Sequence, residues 1–140
     1  MKITGSPPPN YEAIIKVFPA AKDQPVVFTY GDTIFNVSRP SIPYHLIIHE
    51  QTHSKQQGND PAGWWERYLS DPAFRTEQEV EAYAAQYAHV QSVTKDRNVL
   101  ARALHSLALD LSSSVYGNVL RWSEAKDRIK NGNNQAKDSV

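Results

Sequence analysis

No cysteine occurs anywhere in the chain. A disulfide framework is therefore excluded, and so is any metal site built on thiolates. Long apolar runs are missing as well. Nothing approaches the ~20 residues of a membrane span, and Met1 to Pro9 holds no run of signal-peptide length. An excess of charge is absent too: 15 Lys and Arg balance 15 Asp and Glu, for a formal net charge of zero. Such a balance gives no strong non-specific attraction to nucleic acid. These absences favour a soluble, cytoplasmic protein without nucleic-acid or membrane partners. Asn36-Val37-Ser38 matches a glycosylation sequon, which in a chain without a secretory signal reads as chance.

What is present fits one domain. The 140 residues can build one core. Pro7-Pro8-Pro9 stiffens an N-terminal arm, and Asn10 is placed to cap a short amphipathic helix from Tyr11 to Phe18. Val26–Tyr30 and Thr33–Val37, rich in β-branched and aromatic residues, flank Gly31-Asp32. That pattern predicts a β-hairpin. A helix should follow from about Pro43 to Gln57, closed by Gly58. Asp60-Pro61 and Asp71-Pro72 each pair an N-cap with proline at the first helical position. The second of these helices should reach about Val93. Another begins at Thr94 or Asp96, with Leu100, Leu104, Leu107 and Leu111 at helical spacing. Ser123 caps a last short helix ending near Asn131-Gly132. Residues 1–132 form the predicted domain, and 133–140 read as a disordered polar tail. Trp64, Trp65, Tyr68 and the leucine stripe are read as core, the leucine helix having a dimer interface as its alternative.

The chemistry lies in His49-Glu50-Gln51-Thr52-His53, an HExxH sequence preceded by Leu46-Ile47-Ile48. Residues four apart stand on one helix face, so both imidazoles can reach one Zn²⁺ at about 2.0–2.1 Å. Glu50 points roughly 100° away around the helix. It flanks the metal as a general base for water. The apolar residues before the motif are expected to bury this helix and turn it toward a cleft. The pentapeptide arises by chance about once per hundred such sequences, so the reading needs a third ligand.

A third histidine of the form HExxHxxGxxH is excluded, because Asn59 occupies its position. His89 and His105 remain open, each alone on a helix. The better candidate lies in Glu77-Gln78-Glu79-Val80-Glu81-Ala82-Tyr83. At 100° per residue, Thr76, Val80, Tyr83, Tyr87 and Val90 form one stripe. Glu79 shares that face, Glu81 lies opposite and Glu77 near the edge. A carboxylate on an inward face needs a partner, a metal ion or a salt bridge to Arg67 or Arg75.

HExxH followed 20 to 60 residues later by a helical glutamate resembles the gluzincin zinc metallopeptidases. The resemblance covers roughly Val26 to Tyr87. In several of those families the glutamate opens an E-x-x-A-D pattern. Glu79-Val80-Glu81-Ala82-Tyr83 matches the glutamate and alanine, but Tyr83 replaces the aspartate that orients a ligand histidine. The small size looks most like minimal single-domain gluzincins, and the pattern is similar to small metallopeptidase-like proteins of bacteriophages. A phage origin would add the virion as a location.

The resemblance implies an α+β fold: a small hairpin or sheet, then a mainly helical zincin-like domain carrying the HExxH and glutamate-ligand helices. It implies Zn²⁺ on His49, His53 and Glu79, with Glu50 as base in peptide hydrolysis. It implies a peptide or protein substrate held by strand addition at the hairpin edge. Tyr83, Tyr116 and Arg75 are candidates for stabilising the oxyanion. His45, one turn before His49 on the same face, is a further site candidate. The alternative function is a catalytically weak or inactive structural or binding protein, stabilised by the same metal. The sequence assigns neither substrate preference nor oligomeric state.

Overall fold

Local signals set most element boundaries. The Asp71 carboxylate accepts from the amides of Ala73 and Phe74, and Asp96 from those of Asn98 and Val99. Asp60 accepts from Gly63 ahead of a helix with proline in its first turn. Such caps satisfy donors that have no partner within the helix. The computed structural model describes residues 1–138, with side chains as far as Gly132. Among the described residues six α-helices result: α1 Tyr11–Val17, α2 Tyr44–Gln57, α3 Pro61–Ser70, α4 Pro72–Val93, α5 Arg97–Leu111 and α6 Trp122–Asp138. The strands are β1 Lys2–Thr4, β2 Phe28–Tyr30 and β3 Thr33–Phe35. The fold is α+β, mainly helical with a small sheet.

The hairpin β2–β3 is antiparallel, turning at Gly31-Asp32 with Tyr30 opposite Thr33. It is shorter than the sequence suggests. The arm before the prolines starts as a strand, which the sequence reading missed: β1 pairs parallel with β3, giving the order β1-β3-β2. Three residues are too few to carry an alternating pattern. Asn10 precedes α1, but its side chain caps nothing, and both its polar ends are buried without a partner. The last helix runs past its expected end at Asn131-Gly132. Of the expected tail, the side chains of 133–138 and all of 139–140 lie outside the described residues.

Two apolar clusters form. One joins α4, α5 and α6 through Val80, Tyr83, Leu104, Leu107, Leu111 and Ile129. The other gathers Ile14, Phe18, Phe28, Trp64, Trp65 and Tyr68 from α1, the sheet and α3. Both aromatic α3 and the leucine stripe of α5 are thus core.

Helix α2 contributes to neither cluster. Its fully buried residues are His49, Glu50, His53 and Gln57, all polar. The expectation that Leu46, Ile47 and Ile48 bury the helix is corrected: all three are only half-buried. Helical phase turns Ile47 and Ile48 away from the histidine face, whereas Leu46, three residues before His49, shares that face and lines a cavity beside it. Gln57 anchors the far end of α2, donating to the Thr29 carbonyl at 2.8 Å and accepting from the Gly31 amide at 2.7 Å. Ser54 adds a bond to the Gly31 carbonyl. Gly58 then ends the helix at φ 56°, a conformation that favours glycine. No helix among the described residues is long and apolar enough to cross a membrane.

Ile129 is fully buried between α4 and α5, whereas Val119 is half exposed. Ile129→Ala should destabilise by about 2–5 kcal/mol, and Val119→Ala by less than about 0.5 kcal/mol. Urea unfolding of the two variants checks this, and equal midpoints would contradict the packing of α6.

Candidate metal centre

Three donor atoms from two helices converge. His49 Nε2 and His53 Nε2 stand 3.1 Å apart on α2, at the predicted four-residue spacing. Glu79 Oε1, from α4, lies 3.1 Å from the first and 3.2 Å from the second. All three residues are buried. Glu79 points inward, as its helical phase predicts, while Glu77 and Glu81 are exposed. Neither arginine meets it. Arg67 pairs with Asp71, and Arg75 donates to the Tyr68 carbonyl and lies over the Phe18 ring.

The outer hydrogen bonds decide what these atoms can be. Gln56 Nε2 bonds two pure acceptors, the Gln78 carbonyl and the Glu81 carboxylate. Its Oε1 must therefore face His53 Nδ1, at 2.8 Å, and that nitrogen must carry the proton. Gln86 does the same for His49: its Oε1 lies 3.0 Å from His49 Nδ1, and its Nε2 donates to His45 Nδ1 at 2.7 Å. Neutral imidazoles held this way aim bare lone pairs of Nε2 at one another and at a carboxylate. One proton can satisfy a single edge of that triangle. A cation satisfies all three.

The dimensions fit zinc. Four tetrahedral ligands at 2.0–2.1 Å stand about 3.3 Å apart, close to the observed edges. Burial alone would strip the His53 imidazolium of its proton. The charge and hydrogen bond of Glu79, aided by Glu50, outweigh it and lift His53 to about 9. Burial also opposes ionisation of Glu79, but the two histidines hold it well below the usual carboxylate range. A metal would thus displace a proton from a centre already arranged around positive charge.

A second carboxylate borders the pair. The ligand atoms of His49, Glu50 and His53 all lie within 4.8 Å of one another. Glu50 Oε2 is 3.9 Å from His49 Nε2, clearly farther than Glu79. By distance Glu79 is the better placed of the two carboxylates to share an ion with the histidines, and Glu50 stands farther back. Burial raises the Glu50 carboxyl, against the pull of His49 and His53.

Several features escaped the sequence. Tyr68 donates to Glu79 Oε2 at 2.6 Å, so a residue read only as core also orients the Glu79 carboxylate. Tyr83 does not take over the aspartate's role. Its ring packs 4.4 Å from that of His49 while its hydroxyl pairs with Tyr116 at 2.9 Å. Gln86 orients His49 instead; seven residues after Glu79, two helical turns on, it was findable by phase. His89 and His105 lie elsewhere, against Tyr44 and Trp122. His45 is joined to the centre by its bond to Gln86.

The centre opens onto a cavity of about 240 Å³. Its apolar wall includes Ile14, Phe18 and Phe28, and Tyr83 and Tyr116 also line it. The expected strand addition at the hairpin meets an obstacle: the Thr29 carbonyl on β2 already accepts from Gln57 Nε2 and from Trp65 Nε1 at 2.9 Å. Comparisons with protein-family models, curated proteins and solved structures find no match.

Glu79→Ala should weaken zinc binding by more than the roughly 10–100-fold typical of an outer hydrogen-bond partner. Gln86→Leu should fall within that range, and Glu81→Ala, farther out, below it. Competition with a chromophoric chelator measures all three. Equal affinity in Glu79→Ala and the parent would remove Glu79 from the centre.

Proposed function

We propose that the protein is a zinc-dependent metallopeptidase of gluzincin type. The observation that carries this reading is the placement of Glu50. A buried carboxylate, raised by burial, stands beside the histidine pair without joining the Glu79 triangle, and lines the same cavity. A purely structural site needs neither a spare base nor an open side.

His49 Nε2, His53 Nε2 and Glu79 Oε1 would hold the ion. When bound, zinc supplies a Lewis acid for a carbonyl and acidifies a water. Glu50 receives a proton and returns it to the leaving amine; a carboxyl with a raised pKa suits both steps. Of the three oxyanion candidates, Arg75 is turned away, held by Tyr68 and Phe18. Tyr83 and Tyr116 line the cavity as neutral phenols, with burial pushing both hydroxyls well above their ordinary value. Within their pair one hydroxyl donates to the other, which leaves one proton free for an oxyanion.

A second reading, a metal-stabilised protein without turnover, draws on the occupied Thr29 carbonyl, since it removes one way of holding an extended substrate. One variant separates the two. Glu50→Gln should keep one zinc and the parent's thermal stability while losing about 10²–10⁴ in peptide cleavage rate. A parent that cleaves nothing in a broad peptide screen supports the second reading. Loss of zinc from Glu50→Gln would make Glu50 a ligand and overturn the assignment of base.

A further inference from the structure

The cavity carries one feature that catalysis leaves unused. Arg39 is the one lysine or arginine among its described lining residues. It follows β3 in a loop, and Asn36 clamps its backbone from both sides. The Asn36 side-chain amide donates to the Arg39 carbonyl at 3.0 Å, and its oxygen accepts from the Arg39 amide at 2.9 Å. The guanidinium is tethered by two long bonds, Nε to the Ser41 carbonyl at 3.3 Å and Nη1 to the Pro25 carbonyl at 3.5 Å. None of the ion pairs among the described residues includes it. A guanidinium has five N–H donors in a planar fork suited to a carboxylate. Most of those donors here meet no acceptor.

Asp110, on α5, lines the same cavity. Burial raises its carboxyl, and Arg39 and His49 pull the other way. It is not within ion-pair distance of Arg39, so it leaves the fork open.

The substrate must also be held without full strand pairing, because Gln57 and Trp65 occupy the Thr29 carbonyl. The cavity, at about 240 Å³, is smaller than the ~300–1,000 Å³ of common ligand pockets. A short segment fits this space better than a long extended chain. A short segment needs an anchor of high energy per atom, and a charge-assisted pair supplies one.

We propose that Arg39 is a substrate-recognition residue that binds a carboxylate of a short peptide near the scissile bond. This rests on the peptidase reading for its substrate class, and its test is chosen to stand apart from turnover. The carboxylate can come from the peptide's C-terminus or from an acidic side chain, and the shared chemistry is a forked salt bridge.

The test is calorimetric binding to zinc-loaded Glu50→Gln protein, with and without a second change at Arg39. The probes are N-acetyl-Phe-Leu, its C-terminal amide, and N-acetyl-Phe-Glu with an amidated C-terminus. A carboxylate probe should bind at least about tenfold more tightly than the neutral amide. Arg39→Gln should erase that ratio while zinc content stays at one per chain, and Arg39→Lys should restore part of it. Preference for the free C-terminus marks a chain-end site, and preference for the amidated glutamyl probe marks a side-chain site. Equal binding of all three probes, no binding at millimolar concentration, or a ratio that survives Arg39→Gln would overturn the proposal. A parent protein without cleavage activity that still shows the Arg39-dependent ratio would overturn the peptidase reading and leave carboxylate binding standing.

Discussion

Three lone pairs held face to face in a buried place are the constraint on which the rest of this structure depends. His49, His53 and Glu79 approach within 3.1–3.2 Å of one another with almost no access to water. Unpaired polar atoms in such a place are costly, and like-signed atoms more so. The proton that His53 holds up to a pH of about 9 relieves part of the conflict, and a cation between the three would relieve all of it. The outer bonds sharpen the demand. Gln56 and Gln86 fix the Nδ1 protons, and Tyr68 occupies the other oxygen of Glu79. Each of these outer partners is neutral, so the only positive charge at the centre is the proton on His53, or a cation that replaces it.

The architecture follows from carrying such a polar face into the interior. An α-helix usually docks through an apolar stripe, but α2 buries His49, Glu50, His53 and Gln57 instead. It is held by specific bonds at its C-terminal end and by apolar clusters on its neighbours. Gln57 and Ser54 fasten it to the hairpin turn. The cluster of α4, α5 and α6 fixes the helix that presents Glu79, and the cluster around Trp64 and Trp65 fixes Tyr68. Positional accuracy at the centre is thus supplied by apolar packing around α3 and α4 and not by α2 itself, which is how preorganised sites are supported.

Much of this was legible in the sequence, for reasons that can be named. Aspartate caps and the Gly31-Asp32 turn act through atoms a few residues apart, so their outcome is local. That Glu79 faces inward and Glu77 and Glu81 do not needed only helical phase. What escaped depended on distant neighbours. β1 forms because β3 offers it an edge. Tyr83 fails to orient His49 because Tyr116, 33 residues later, takes its hydroxyl. Ile47 and Ile48 stay half-buried because the inward face of α2 is taken by His49, Glu50, His53 and Gln57. The Thr29 carbonyl is occupied by side chains from α2 and α3, which no reading of the hairpin alone could foresee.

The central claim is that two imidazoles and one carboxylate bind a single metal ion. X-ray absorption at the zinc edge of protein loaded with one equivalent tests it most directly. The account predicts a shell of nitrogen and oxygen at about 2.0–2.1 Å with the outer scattering of two imidazole rings, reduced to one ring in His53→Ala. A shell of oxygen alone, or failure to retain zinc through desalting, would contradict it.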